Sequence, residues 1–278
     1  MSDINTKNSI NTNENNVFLY WVGNDFKLIT ILRRLIYLHS KSGNGYKVHL
    51  INHENVKNYV PYIPDFFYHL RPAFQADYVR VSVICDYGGI WLDSDTLVIE
   101  SLDSLFEKMN SCSDGFFIRE TKNLDNTNAI CNGLFGSKPG TLLMLEWKRT
   151  ILEVMNEKKL DISWCELGGK ILCNFDSTKP ELFNNYELID GIDNIYPVRW
   201  YNCVENYLYF PYENYCNIVR NYQPLLILVN EVYRSLEHLS EEEIMNSRMP
   251  INYFINKSLE NAKNNETQNN ESSIDNNS

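Results

Sequence analysis

The run from Arg71 to Glu100, RPAFQADYVRVSVICDYGGIWLDSDTLVIE, limits the possible folds more than any other part of this chain. It reads as a helix, a glycine turn, a strand, an acidic loop and a second strand. Pro72 suits a first helical position, where its missing N–H removes no bond. Phe74, Tyr78, Val81 and Cys85 recur at helical spacing, and Ala76, Val79 and Val83 make a second side apolar. Such a helix is expected to be covered nearly all round. Asp77 and Arg80 share one face of it. Gly88-Gly89 stops the helix, because glycine enters the left-handed conformation at little cost. Ile90-Trp91-Leu92 is a short apolar run of the kind buried on both faces of a sheet. It ends in Asp93-Ser94-Asp95. Two carboxylates at the end of a buried strand repel each other and call for positive charge between them; a divalent cation is the simplest candidate.

The chain before this run opens an α/β sheet. Val17 to Val22 reads as a strand closed by Gly23-Asn24. Lys27 to Lys41 reads as a helix with Leu28, Ile31, Leu32, Leu35, Ile36 and Leu38 on its apolar side, and Tyr46 to Ile51 as a second strand. A strand–helix–strand start predicts an open sheet that binds its ligand at the carboxyl ends of its strands. Neither a Gly-x-Gly-x-x-Gly turn nor a phosphate loop is present, so diphosphate binding by helix-terminus amides alone is not supported, which again points to a metal. Downstream, a short helix capped by Ser101 is expected to Met109. Strands are expected at Gly115–Arg119 and Ala129–Phe135, joined by a polar loop at Asp125–Asn128, and a helix at Thr141–Lys159. Asp161–Phe175 reads as a helix interrupted at Gly168-Gly169. Tyr186–Tyr222 is tyrosine-rich and irregular, and Leu225–Leu236 is apolar core. Ser240 with Glu243 forms a capping box, and a short helix follows at Asn252–Leu259. Residues 1–16 and 260–278 are polar and expected to be disordered tails around a single domain at 17–259.

The balance of 25 basic and 36 acidic residues, net −11 with a pI near 5.0, argues against nucleic acid or an anionic membrane as partner. An anionic substrate then needs a metal or a local basic group. No apolar run is long enough to span a membrane, and no signal-peptide core is present. Seven scattered cysteines without metal-ligand spacing suit a reducing compartment, so a cytoplasmic location is expected.

The run F-Q-A-D-Y-V-R … D-Y-G-G-I-W-L-D-S-D resembles the Asp-x-Asp sugar transferases. The nearest likeness is to the capsular-polysaccharide-synthesis and initiating α-mannosyltransferase type. The glucosylating domains of large bacterial toxins are more distant. The likeness is close over Arg71–Glu100 and weaker from Val17 to Leu259. An Asp-x-Asp alone is common; joined to an upstream Asp-x-x-Arg helix and a Gly-Gly-Ile-aromatic-Leu strand it is specific.

The resemblance implies the GT-A fold, a Rossmann-like open mixed sheet flanked by helices, here with an irregular C-terminal half. It implies a hexosyltransferase using a UDP- or GDP-hexose donor and a glycan or polysaccharide acceptor, with retention of anomeric configuration. It also implies Mn²⁺ or Mg²⁺ on Asp95, with Asp93 on ribose or sugar hydroxyls and sharing the ion. Asp77 and Arg80 would contact the transferred sugar, Arg80 also lying near phosphate. Trp21 would stack on the base, and Asn132 would lie close to the sugar. Each residue has a plainer reading beside this one. Asp93 and Asp95 also suit a polar turn, Asp77 and Arg80 a helix ion pair, Trp21 the core, and Asn132-Gly133 a turn. Glu166-Leu167-Gly168-Gly169 stands where relatives often carry Thr-Gly-Pro, a departure that puts a donor role there in doubt. Two other functions compete: a catalytically idle nucleotide-sugar-binding protein, and an aspartyl-phosphate phosphatase, for which Thr96 falls one residue early.

Overall fold

The computed structural model describes residues 10–120, 129–191, 204–209 and 225–275. The expected loop at Asp125–Asn128 and most of the tyrosine-rich segment lie outside them. In chain order the first elements are β1 (Asn16–Tyr20), α1 (Lys27–His39), β2 (Lys47–Ile51), α2 (Val56–Tyr59), α3 (Pro72–Tyr87), β3 (Gly89–Leu92), β4 (Thr96–Val98), α4 (Asp103–Ser111) and β5 (Gly115–Glu120). They are followed by β6 (Ala129–Ser137), α5 (Leu142–Lys158), α6 (Gly169–Thr178), β7 (Tyr186–Asp190), β8 (Leu226–Leu228), α7 (Val232–Ser235), α8 (Glu241–Met245) and α9 (Pro250–Asp275).

The main sheet has six strands in the order β2-β1-β3-β6-β5-β7. β1 runs parallel to both β2 and β3, β6 is antiparallel to β3 and β5, and β7 is parallel to β5. This is an open mixed sheet flanked by helices, the architecture that the resemblance implies.

Side chains alternate across it as a pleated strand requires. Phe18, Tyr20 and Trp91 pack toward α3 and α5, while Val17, Leu19, Ile90 and Leu92 pack toward α4. α3 is buried round its circumference, from Phe74 and Gln75 through Asp77, Val79 and Arg80 to Ile84. β3 is fully buried. Gly89, at φ +108°, lets β3 lie against β1: a Cβ there would come within 2.5 Å of the Asn16 carbonyl oxygen.

The strand expected after Asp95 is present as β4 and lies outside the main sheet: it pairs antiparallel with β8, and this small sheet packs with α1 and α9. Several expectations need correction. Ser101 does not cap α4 in the usual way, although its hydroxyl accepts from the Asp103 N–H at 3.3 Å. The helix expected from Asp161 starts only at Gly169. Residues before it form turns, held by the Glu166 carboxylate accepting from the Ser163 N–H at 2.7 Å. Where a tail is expected from residue 260, α9 continues to Asp275. The physical reason is tertiary: Ala262 is buried, and Asn261 Nδ2 donates to the Ile99 carbonyl at 3.0 Å, so the helix stays docked beyond Leu259. β1 starts at Asn16, which is buried, not in a tail.

No described helix is long and apolar enough to cross a membrane.

Candidate active site

From β1 the chain leaves through α1 to β2 on one side and returns through α3 to β3 on the other. The carboxyl ends of β1 and β3 therefore flank the point where the winding reverses, and open α/β sheets hold ligands in the crevice at such a point. Asp93 directly follows β3, and Trp21 directly follows β1. The acidic loop is anchored on three sides. The Asp93 N–H donates to the Gly133 carbonyl at 2.8 Å, Ser94 Oγ donates to the Tyr20 carbonyl at 2.9 Å, and the Asp95 carbonyl accepts from the Val229 N–H at 3.0 Å. Strand β6, the end of β1 and strand β8 thus fix where both carboxylates stand.

α3 brings Asp77 and Arg80 to the same place. Arg80 donates through Nη1 to the Asn132 carbonyl at 2.5 Å and through Nη2 to Asp93 Oδ1 at 3.0 Å; Nη2 lies 3.5 Å from Asp77 Oδ1. Asn132 Nδ2 donates to Asp77 Oδ1 at 2.9 Å, and Trp91 Nε1 donates to Asp93 Oδ1 at 2.8 Å. The guanidinium lies over the Trp91 ring, 5.2 Å from its centroid. Asp77, Arg80, Asp93 and Asn132 are therefore one hydrogen-bonded group, with Asp95 beside it.

Trp21 is not part of that group. Its indole packs on the α1 side between Phe26 and Tyr233 and donates to the Asn24 carbonyl at 3.1 Å, with Arg33 over the ring at 5.7 Å. It shares the same end of the sheet but faces the opposite way from Tyr20.

Three carboxylates share one guanidinium here, and the imbalance shows in their protonation. Burial raises Asp77 to about 6, against the opposing pull of Arg80. Burial also raises Asp93, opposed by Arg80 and by the Trp91 N–H. Asp95 is pushed up to about 7 by burial, then by the charge of Asp93, with a smaller contribution from Glu231. A cation would relieve this. The donor set fits one: carboxylate oxygens are hard ligands of the kind Mn²⁺ and Mg²⁺ take, and Asp93 keeps Oδ2 outside its bonds to Arg80 and Trp91. Among the described residues no group of three or more His, Cys, Asp or Glu side chains is arranged to hold a metal. Among the described residues the acidic loop offers a pair of carboxylates, and an ion held there would take its other positions from oxygens of a ligand or water.

One feature escaped the sequence expectations, and one that they left in doubt stands beside the site. The chain leaving β8 delivers Val229, whose N–H holds the Asp95 carbonyl, and Glu231, whose charge reaches Asp95, whereas Leu225–Leu236 reads in sequence only as core. The Asn-Glu pair interrupting that apolar run was the available signal. Gly168 lies against the site: a Cβ there would meet Asn132 Nδ2 at 2.0 Å and Asp77 Oδ1 at 3.0 Å. Two open hollows of about 370 and 420 Å³ run along α9 beside Asn261 and Asn264 and do not touch the acidic loop.

A family model described as capsular polysaccharide synthesis protein matches residues 1–165. No curated protein matches the chain. Among solved structures, one similar chain is a glycosyltransferase involved in glycosylation of the major capsid of PBCV-1. The two are 11% identical with a TM-score of 0.47, covering 80% of this chain and 97% of that one. Another is the glycosyltransferase GlyE of Streptococcus pneumoniae TIGR4, 11% identical with a TM-score of 0.44, covering 84% of this chain and 62% of that one. A third is the galactosyltransferase LgtC in complex with donor and acceptor sugar analogues, 12% identical with a TM-score of 0.38, covering 82% and 98%.

Proposed function

The chain belongs to the capsular polysaccharide synthesis proteins, and on that premise we propose that it is a metal-dependent glycosyltransferase. It moves a hexose from a UDP- or GDP-sugar to a glycan acceptor with retention, and it works in the cytoplasm. The single observation that carries this reading is the hydrogen-bonded group of Asp77, Arg80, Asp93 and Asn132 at the reversal point of the sheet. Family and fold support the glycosyl transfer role; metal, donor and stereochemistry are part of the proposal.

Asp93 and Asp95 would hold the cation, which supplies Lewis-acid neutralisation of the departing diphosphate. The other roles belong to the chain itself. Arg80 orients the Asp93 carboxylate and the Asn132 carbonyl, and its guanidinium places fixed positive charge near developing phosphate charge. Asn132 locks one oxygen of Asp77, leaving the other to accept from a sugar hydroxyl. The buried walls of β3 and α3 keep this part of the site poor in water, which strengthens those contacts. In a front-face route the leaving phosphate takes the acceptor proton. Asp93 Oδ1 already accepts two N–H bonds, which suits an orienting carboxylate better than the nucleophile of a phosphatase.

Purified protein with Mn²⁺ and a panel of nucleotide sugars tests this. Release of nucleoside diphosphate from at least one donor, lowered about 100-fold or more in Asp95→Asn, is expected. No release from any donor, or full release by Asp93→Asn and Asp95→Asn, contradicts it.

A further inference from the structure

The turn between α5 and α6 brings Gly168 to the site, and it also carries a side chain that the site described above does not use. Of the described tryptophans, Trp91 and Trp147 are buried and Trp21 is half-buried, but Trp164 in this turn is 66% exposed. Leu160, four residues before it, is exposed too. The backbone on both sides of Trp164 is fixed. Before it, the Ser163 N–H donates to the Glu166 carboxylate at 2.7 Å, and Lys158 donates to the same carboxylate. After it, the Cys165 carbonyl accepts from the Lys170 N–H at 3.0 Å and from the Gly168 N–H at 3.3 Å. Trp147 Nε1 donates to the Leu167 carbonyl at 2.9 Å, and Leu167 is fully buried. Lys159 and Cys165, at φ +52° and +61°, both stand in the left-handed region, which residues with such side chains enter at a cost. Strain of this kind persists where the surroundings over-determine it, and it gathers at ligand clamps.

The turn is close to the site. Residues 165–168 close a β-turn whose ends lie within about 7 Å of each other, and Trp164 is one residue, about 3.8 Å, further back. Its Cα is then within about 11 Å of that of Gly168. A Cβ added at Gly168 would stand 3.0 Å from Asp77 Oδ1. The charges of Asp77 and Arg80 reach the thiol of Cys165, which is exposed. An exposed part of this turn thus lies beside the Asp77–Arg80 group.

In the chain the indole stands among polar residues, with Asp161, Ser163, Glu166 and Lys170 near it. Two apolar side chains in a polar turn fall far short of the about 800 Å² per partner that a stable protein interface covers. They suit one sugar ring. The face of an indole carries negative charge density, and the C–H groups on the flat side of a pyranose are slightly positive. The hydroxyls round the rim of that ring meet donors and acceptors in such neighbours.

We propose that Trp164 is a stacking platform for a pyranose ring of the acceptor glycan, held beside the site by the strained turn. The assignment rests on the glycosyl-transfer reading and adds to it the place where the acceptor is gripped.

The test is calorimetric binding of disaccharides ending in glucose, galactose, mannose or N-acetylglucosamine to the full chain, to Trp164→Ala and to Trp164→Phe, with Mn²⁺ and UDP or GDP present. At least one disaccharide is expected to bind the unaltered chain. Its affinity should fall about tenfold in Trp164→Ala and much less in Trp164→Phe, which keeps an aromatic face. UDP and GDP should bind all three chains alike, and the urea midpoint should stay in place, because the side chain is exposed. Undiminished disaccharide affinity in Trp164→Ala overturns the proposal, as does a lower urea midpoint in that variant, which would mark a packing role. A dimer of the unaltered chain that Trp164→Ala separates in sedimentation would show that the indole meets another protein chain, and overturns it too. Binding of no disaccharide, with nucleotide still bound, overturns it and leaves the transferase reading standing. Failure of both UDP and GDP to bind the unaltered chain removes both.

Discussion

At the scale of single residues, the group around Arg80 is governed by unequal charge: Asp77, Asp93 and Asp95 meet one guanidinium. Removing a buried charge partner costs more than the pair contributes, because the remaining charge is left without compensation. Arg80→Met should therefore lower stability in urea by about 3 kcal/mol. Arg80→Lys keeps the charge but loses the planar fork that reaches Asn132 and Asp93 together, so it should retain most of the stability and still lose activity. Equal stability of Arg80→Met and the unaltered chain would show that the guanidinium does not hold the group together. Gly168 and Gly169 provide a matched pair. A methyl at 168 collides with Asn132 Nδ2, whereas a Cβ at 169 meets nothing closer than 4.0 Å. Gly168→Ala should reduce donor turnover by about tenfold or more, with Gly169→Ala near normal; equal turnover in both would count against a role for Asn132 in holding Asp77. The sequence made Asp77 and Arg80 visible as neighbours on one helix, because local spacing decides that. It showed nothing of the Asn132–Asp77 bond, which joins residues 55 apart, and it left Gly168 only as part of a stretch that the resemblance sets where relatives carry a donor-side motif. Such contacts follow from how β6 and α6 dock, which no local pattern encodes.

At the scale of elements, α3 and β3 were legible since their apolar positions run all round the helix and along the whole strand. The small β4–β8 sheet and the length of α9 were not, as both depend on partners far away in sequence. One cluster shows why α9 stays docked. His39 of α1 and Ser258 of α9 are fully buried and bonded at 3.0 Å, and Ser258 Oγ donates to the Val98 carbonyl of β4 at 2.6 Å. With its only proton given to Val98, Ser258 accepts from His39 Nε2–H, and Nδ1 is left buried without a partner. Protonating it would bury an unpaired charge, so burial lowers His39 from 6.5 to about 4. The sign follows: above pH 6.5 the stability is complete, and as the pH falls toward 4 the unfolded chain takes up a proton that the folded chain refuses. About 3 kcal/mol should be lost across that window. Asp77 and Asp95, raised to about 6 and about 7, act in the opposite sense as the pH falls, so this loss is read as the difference between the unaltered chain and His39→Leu in denaturant titrations between pH 7.5 and 4.5. A pH dependence unchanged in His39→Leu would show that another group governs it.

At the scale of the whole molecule, a chain of net charge −11 places a pair of carboxylates where its sheet reverses winding. Net charge of that sign repels a nucleotide diphosphate, so the proposed binding calls for a metal ion or a local basic group. The strand–helix–strand opening of the sheet was readable from the first fifty residues, whereas the order β2-β1-β3, and with it the reversal, was not. The central claim is that Asp93 and Asp95 together admit a nucleotide diphosphate by sharing a divalent ion. Titrating UDP and GDP calorimetrically into the full chain with Mn²⁺ and then with a chelator tests it most directly. The account predicts binding of at least one nucleotide that weakens by about 100-fold or more without Mn²⁺, and a dependence on the ion that disappears in Asp95→Asn. Nucleotide binding of equal strength with chelator, unaffected by Asp93→Asn and Asp95→Asn, would contradict it.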